Sequence, residues 1–148
     1  MTWKKLLGAH DVQPHQTSKR ELDDMRALVA RDLADAGIAG LSADRRFATA
    51  YNAALQAAHM AIACTGYRVT AKTGHHKITF YSASLALGSG AAKYGDYFET
   101  CRRKRNVIDY TRSHVATETE ASEIVERATG FYEVIEGWVD SKFPNLKR

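Results

Sequence analysis

The chain is poor in cysteine and has no long hydrophobic run, and each absence excludes a class of protein. Its 148 residues include two cysteines, Cys64 and Cys101. Because both lie inside apolar helical patterns and not in Cys-x-x-Cys spacing, we expect buried free thiols and neither a disulfide nor a metal site. No run of eighteen apolar residues occurs, and residues 1–19 lack the apolar centre of a signal peptide. We therefore expect a cytoplasmic protein that does not engage a membrane.

Short catalytic signatures are also missing. The sequence contains no Gly-rich phosphate loop, no Gly-x-Ser-x-Gly nucleophile turn and no His-Glu-x-x-His zinc motif. Redox, kinase and zinc-hydrolase functions are therefore unsupported, and we expect neither a cofactor nor a bound metal. The adjacent His75 and His76 point apart on any regular backbone and have no acidic or cysteine ligand nearby, so they predict a polar turn.

Charge is unevenly distributed along a chain of otherwise ordinary composition. Hydrophobic residues make up 45% and charged residues 26%, as in a single globular domain, and the net charge is +4. Residues 102–105 are all cationic, whereas the next segment is anionic at Glu118, Glu120, Glu123 and Glu126. A nucleic-acid footprint would then be confined to one face of the protein.

Hydrophobic periodicity predicts an all-α protein, an up-and-down bundle of four main helices plus one short helix. We expect residues 1–17 to form an N-terminal extension and residues 18–143 to form the bundle. The first main helix is predicted over about 18–36, because Ser18 and Glu21 form a capping-box pair and apolar residues recur at helical spacing. Gly37 is expected to end it in a left-handed conformation.

The later helices are predicted from the same signals. An alanine-rich helix follows Ser42 and ends near Gly66. Apolar spacing from Ile78 predicts the short helix, with a strand as the alternative because this segment is also rich in β-forming residues. The last two helices are predicted over 91–113 and onward from a capping box at Thr117.

A polar motif occupies the fourth main helix. Four adjacent cations run directly into an asparagine, and a tyrosine follows four residues later. At about 100° per residue, one arc of this helix carries Arg102, Arg105, Asn106, Asp109 and Tyr110. Arg105 is expected at the edge of the packed face, where partial desolvation strengthens its contacts to a carboxylate or phosphate. Asn106 is a mediocre helix former, so its position indicates a specific hydrogen bond, either structural or functional.

With these features the chain resembles the HEPN superfamily, the nucleotide-binding helical bundles of higher eukaryotes and prokaryotes. The resemblance spans most of residues 18–140. The residues that carry it are Asp44-Arg45-Arg46-Phe47 and Tyr51-Asn52-Ala53 in the helix that ends at Gly66, His75-His76, and Arg105-Asn106 with Tyr110. It implies a homodimer that binds RNA or a nucleotide in a cleft lined by two copies of the motif. Many family members are ribonuclease toxins, so the resemblance also implies a cognate antitoxin-like partner.

Catalysis is left open by one departure from the family pattern. Ribonucleases of the family have a histidine a few residues after the motif arginine, and here Tyr110 stands four residues past Asn106. A tyrosine, with a pKa near 10, is a poor general base at neutral pH, whereas a histidine, near 6.5, is suited to the task. The implied catalytic residues are Arg105, Asn106 and Tyr110, and the implied phosphate-binding residues are Arg102, Arg103, Lys104 and His114.

A non-enzymatic function is the alternative. In that case the polar motif is buried structurally or at a protein interface, and Arg105 pairs with Asp109 one helical turn away. The sequence therefore leaves two hypotheses, a HEPN-like RNA-binding domain that is a ribonuclease if it is an enzyme, and a helical interaction module.

Overall fold

In the computed structural model the chain forms an all-α bundle of four long helices and one shorter helix. The structure describes residues 2–72, 74–110 and 113–148, and of Asp109 and Tyr110 it describes the backbone alone. The helices are α1 Trp3–Gly8, α2 Lys19–Ala36, α3 Ala43–Cys64, α4 His75–Leu87, α5 Ala92–Tyr110 and α6 Glu118–Lys142. The remaining elements are strands β1 Val12–Pro14 and β2 Tyr67–Val69 and the short 3-10 helices Ser89–Ala91 and Pro144–Leu146. Within the described residues, no helix is both long and apolar enough to span a lipid bilayer.

Helix α3 lies at the centre of the bundle. Thirteen of its 22 residues are buried, so it is covered on most sides, and α2, α4, α5 and α6 all pack against it. Its many alanines allow these helices to approach closely. A chain of aromatic rings then links four helices, from Tyr51 through Phe80 and Phe98 to Phe131, at centroid distances of 5.6, 5.3 and 5.4 Å.

The predicted N-caps at Ser18, Ser42 and Thr117 are confirmed, and one predicted C-terminal conformation is wrong. The Ser18 and Ser42 side chains each accept a hydrogen bond from a backbone N–H three residues later, and the capping box at Thr117 is complete. The box predicted at Ser18 is formed in one direction, because the Glu21 carboxylate binds His15 and Thr17. Gly37 was expected in a left-handed conformation, but its φ is −93°. The helix nevertheless ends at Ala36, as predicted, and the left-handed glycine of the connection to α3 is Gly40, with φ 85°.

The structure also corrects the predictions for the start of α4 and for the residues that follow α5. The segment from Ile78 is helical, so the strand alternative is wrong, and the helix already begins at His75. The two histidines thus form its first turn, while Gly74, with φ 82°, makes the preceding turn. Helix α5 is described as far as Tyr110, and His114, beyond residues 111 and 112, has φ 58° and lies outside the helix. His114 therefore does not continue the helical stripe of Asn106.

The N-terminal extension packs on the bundle. Strands β1 and β2 pair antiparallel with Val12 opposite Val69, and Leu6 and Val12 are buried. The Trp3 ring stacks on the Tyr67 ring with centroids 4.4 Å apart. These two strands were not predicted from the sequence.

The interpretation of the cysteines is confirmed. Cys64 and Cys101 are both free and buried. Burial raises the pKa of each thiol to about 11, so neither is a reactive thiolate at neutral pH.

Candidate functional site

The Arg105 side chain reaches from α5 to α3. Its Nη2 donates to Oδ1 of Asn52 and its Nη1 to Oδ1 of Asn106, each over 3.4 Å. Its Cζ lies 5.7 Å from the centroid of the buried Tyr51 ring, within cation–π distance. Arg105 takes part in further interactions as well. The two amides and the ring orient the half-buried guanidinium between α3 and α5.

Asn52 connects Arg105 to a hollow on the protein surface. The hollow lies between the α2–α3 connection and α3, and its lining includes Asp35, Leu41, Arg45 and Asn52. Arg45 and Asn52 are seven residues apart, two helical turns, so they share one face of α3. Asn52 thus lines the hollow and also contacts Arg105.

His76 joins the site from the first turn of α4. Its ring centroid lies 6.0 Å from that of Tyr51, and the His75 ring packs edge-on against it at 4.5 Å. Burial lowers the pKa of His76 to about 4, and the nearby His75 and Arg105 act in the same direction. Burial likewise lowers the pKa of His59 on α3 to about 4. Both imidazoles are therefore neutral at pH 7, each with one donor and one acceptor nitrogen.

The run of four cations is divided between several partners. Arg102 pairs with Glu99 on α5, with Nη2 and Oε1 3.0 Å apart, and Lys104 donates to Glu120 at the start of α6. Arg103 is exposed and stands two residues from Arg105, so it projects about 200° away around α5. The segment expected to form a separate anionic region thus folds against the cationic run and neutralises part of it.

His114 lies apart from Arg105. The backbone N–H groups of Val115 and Ala116 donate to the Asp44 carboxylate over 2.9 and 2.7 Å, which fixes this connection at the N-terminus of α3. Asp44 precedes Asn52 by eight residues, a rise of about 12 Å along the helix. Within one chain, the structure therefore does not bring His114 to Arg105.

Tyr110, the third residue implied as catalytic, has a side chain that lies outside the described residues, as does that of Asp109. Arg105 and Asn106 are in contact, as the arc of α5 indicated. Asn52 and Tyr51 were noted only as part of a family pattern, and His76 was assigned to a turn. No periodicity in the sequence links position 76 to position 105, because their proximity depends on how α4 and α5 both pack on α3.

No protein-family model matches the chain, and neither a curated protein nor a solved structure is significantly similar to it. Within residues 2–72, 74–110 and 113–148, no group of three or more His, Cys, Asp or Glu side chains is arranged to hold a metal ion. The arrangement around Arg105 offers one oriented cation, two amides and a neutral imidazole. These groups are suited to binding an oxyanion and to moving a proton near it.

Proposed function

We propose that this protein is a HEPN-like domain that binds RNA or nucleotide phosphates at Arg105. The observation that carries the proposal is the half-buried guanidinium oriented between two helices by the Asn52 amide and the Tyr51 ring. An arginine whose position is fixed in advance loses less conformational entropy when it binds a phosphate. The Asn52 and Asn106 amides supply additional hydrogen-bonding groups beside it.

A phosphate could replace the two asparagines as the hydrogen-bond acceptor of Arg105. At 3.4 Å they are longer than the usual range of about 2.7–3.2 Å, so they are weak. A phosphate oxygen would accept shorter, charge-assisted bonds of about 2.7–2.9 Å from the same guanidinium. Because Arg105 is partly buried, screening by water is reduced and this gain is larger than at a fully exposed arginine.

RNA cleavage is the stronger form of the proposal. Arg105 would stabilise the charge that develops on the scissile phosphate, and Asn106 would orient it. The proton would be carried by Tyr110, at the position of the family histidine, or by the neutral His76. As a toxin of this type, the protein would act as a homodimer and be neutralised by an antitoxin-like partner.

An interaction module is the second candidate. It is favoured by the pairing of Arg102 with Glu99 and of Lys104 with Glu120, which removes two cations of the basic run from ligand binding. In that case Arg105 serves the packing of α5 on α3, and no RNA binds.

Salt dependence separates the two candidates. We expect the affinity for a labelled single-stranded RNA, measured by fluorescence anisotropy between about 50 and 200 mM salt, to fall steeply as salt increases. Arg105→Ala should weaken binding about tenfold and reduce the slope of log affinity against log salt by about one. The matched control is Arg148→Ala, which also removes one arginine but from the C-terminus, where Arg148 pairs with Glu133.

The control should leave both the affinity and the slope nearly unchanged. Equal effects of Arg105→Ala and Arg148→Ala would mean that only net charge matters, and no salt-sensitive binding by the wild type would leave the interaction module as the function.

The toxin form is tested by expressing wild type and Arg105→Ala in a bacterium. Growth inhibition by the wild type alone is expected, and equal growth of both strains would exclude toxicity under those conditions.

A further inference from the structure

A cavity outside the Arg105 site lies in the groove between α4 and α5. Its volume is about 220 Å³, and its lining includes Lys77, Phe80 and Tyr81 of α4 and Gly95, Asp96 and Glu99 of α5. On each helix the lining residues recur at spacings of three and four, so each helix contributes one face. Pockets for drug-sized ligands measure about 300–1,000 Å³, so this cavity is suited to a smaller group, such as a single planar ring system.

The interior of the cavity is aromatic and fixed in shape. Phe80 is 1% exposed and stacks on Phe98 with ring centroids 5.3 Å apart. Gly95 allows α5 to approach α4 so closely that a Cβ at this position would collide with Oγ of Ser84. The Tyr81 side chain, by contrast, is 41% exposed. A planar ligand could therefore reach an aromatic wall from solvent.

Charges of opposite sign stand on the two sides of the cavity. Lys77 comes from α4, and Asp96 and Glu99 come from α5. Glu99 is already bound by Arg102, whose Nη2 lies 3.0 Å from its Oε1. Asp96 is exposed, and among the described residues no side chain donates a hydrogen bond to its carboxylate. The cavity thus has an ammonium donor on one helix and two carboxylate acceptor oxygens on the other.

The Watson–Crick edge of guanine matches this arrangement. Its O6 accepts a hydrogen bond, as from Lys77, and its adjacent N1–H and N2–H groups donate to the two oxygens of one carboxylate, as at Asp96. Adenine and cytosine place an unprotonated ring nitrogen beside one amino group, and that nitrogen would face the second carboxylate oxygen. Uracil has a single N–H between two carbonyl oxygens. Proteins recognise the bases of single-stranded RNA by this combination of aromatic stacking and hydrogen bonds to the base edge.

We infer that the cavity between α4 and α5 binds a guanine base of single-stranded RNA, with the ring beside Tyr81 and the Watson–Crick edge against Asp96. This inference rests on the proposed function and adds a base preference to it. Asn106, which contacts Arg105, follows Glu99 by seven residues, so it lies on the same face of α5 about 10.5 Å along the axis. A short strand of RNA could therefore contact the cavity and the phosphate site together.

The test is fluorescence anisotropy of the full chain with short labelled oligonucleotides that differ in one base. The reference is an oligouridylate, and the others carry one central guanosine, inosine or adenosine. All have the same number of phosphates, so the salt-dependent part of binding is common to them. We expect the guanosine oligonucleotide to bind about tenfold more tightly than the reference, because a good bidentate pair discriminates between bases by about this factor.

Inosine and adenosine divide this preference into its causes. Inosine keeps O6 and N1–H but lacks the N2 amino group, so its oligonucleotide should have an intermediate affinity. Adenosine stacks as a purine but lacks the pair of donors, so its oligonucleotide should bind little better than the oligouridylate. Equal gains from adenosine and guanosine would mean that stacking alone is responsible, and the proposed contact with Asp96 would be overturned.

A variant assigns the preference to the carboxylate. Asp96→Asn keeps the size of the side chain but replaces one acceptor oxygen by a donor, so the ratio of guanosine to uridine affinity should fall close to one. The matched control is Asp24→Asn, the same change at an exposed position of α2, and it should keep the full ratio. Both variants remove one negative charge, and both are checked for wild-type helicity by circular dichroism.

The outcomes separate the inference from the function on which it rests. Equal affinity for the guanosine and uridine oligonucleotides, or a preference that Asp96→Asn leaves intact, overturns the inference and leaves phosphate binding in place. A preference lost equally in Asp24→Asn overturns it as well, because net charge would then be the cause. Absence of binding to every oligonucleotide overturns both. A guanosine preference that is lost in Asp96→Asn alone supports the inference.

Discussion

Two arginines of this protein, Arg26 and Arg105, bridge helices in opposite ways. The Arg26 guanidinium is 7% exposed and binds Glu136 on α6 over 2.8 and 3.0 Å, Asp23 over 2.7 Å and the Leu146 carbonyl over 2.6 Å. The contacts of Arg105 to the two asparagines are 3.4 Å long and neutral. The first arginine is bound by two carboxylates, as a structural arginine should be, whereas the two hydrogen bonds of the second to asparagines are long enough for a phosphate to displace them.

The difference lies in what each arginine stabilises. Arg26 joins α2 to α6 and, through the Leu146 carbonyl, to the C-terminal 3-10 helix. Its charge therefore stabilises the packing of these elements. Glu136 is fully buried and accepts a further hydrogen bond from Tyr132. Removing one member of such a network leaves another charge without compensation in a dry interior.

Glu136→Ala should have the largest effect on stability. It leaves Arg26 buried beside Asp23 alone and also deprives Tyr132 of its acceptor. The expected loss is about 3–5 kcal/mol in the free energy of unfolding, measured by urea denaturation. Glu133→Ala, one helical turn away at an exposed site, is the control and should cost less than about 1 kcal/mol. If the two variants lose the same stability, the Arg26 network is not structural.

Replacing each arginine by lysine tests the comparison directly. Arg26→Lys keeps the charge but cannot reproduce the fork that binds Glu136 and the Leu146 carbonyl, so it should cost about 2–3 kcal/mol. Arg105→Lys loses long hydrogen bonds and should cost no more than about 1 kcal/mol. Its main effect should be on RNA affinity. The reverse order of stability losses would show that Arg105 belongs to the packing of the bundle.

The parts of the fold that local sequence determines could be predicted. Helix α2 begins after Ser18 and α6 after Thr117 because each cap involves residues within one turn of the chain. The pairing of Val12 with Val69 was missed because it joins two segments of 3 residues each that lie far apart in sequence and are too short for a clear alternating pattern.

The site could be predicted only in part, for the same reason. The sequence indicated that Arg105 and Asn106 share one arc of α5, since this depends on helical geometry alone. The contact with Asn52 and the arrival of His76 depend on packing between helices. Similarly, Lys104 was assigned to phosphate binding, and its pairing with Glu120 on α6 became visible only in three dimensions.

Acid should destabilise the protein through His59 on α3. The pKa of His59 is about 4 in the folded protein and near 6.5 in the unfolded chain, so the unfolded state binds more protons between these values. The stability that a neutral His59 provides is therefore complete above about pH 6.5 and is lost as pH falls towards 4. The wild type loses free energy of unfolding as pH falls, and we expect this loss to be about 1–2 kcal/mol smaller in His59→Gln. The figure allows for the partial exposure of His59 to solvent.

The measurement is the urea midpoint at several pH values from about 7 to 4.5. Protonation of carboxylates destabilises wild type and variant alike, so the difference between the two curves isolates His59. His10→Asn, at an exposed position, should follow the wild-type curve. Parallel curves for His59→Gln and wild type would mean that His59 is protonated in the folded protein with little cost.

The smallest effect is expected at a tyrosine hydroxyl. The Tyr51 hydroxyl is buried beside Arg105 and has no hydrogen-bond partner among the described residues, whereas the Tyr132 hydroxyl donates to Glu136 over 2.8 Å. Tyr51→Phe keeps the ring on which Arg105 rests and removes only the buried hydroxyl, so stability should change by less than about 0.5 kcal/mol or increase slightly. Tyr132→Phe removes a charge-assisted bond and should cost about 1 kcal/mol. If Tyr51→Phe loses as much free energy of unfolding as Tyr132→Phe, the Tyr51 hydroxyl is hydrogen-bonded in solution. The polar groups around Arg105 would then be as completely hydrogen-bonded as those around Arg26.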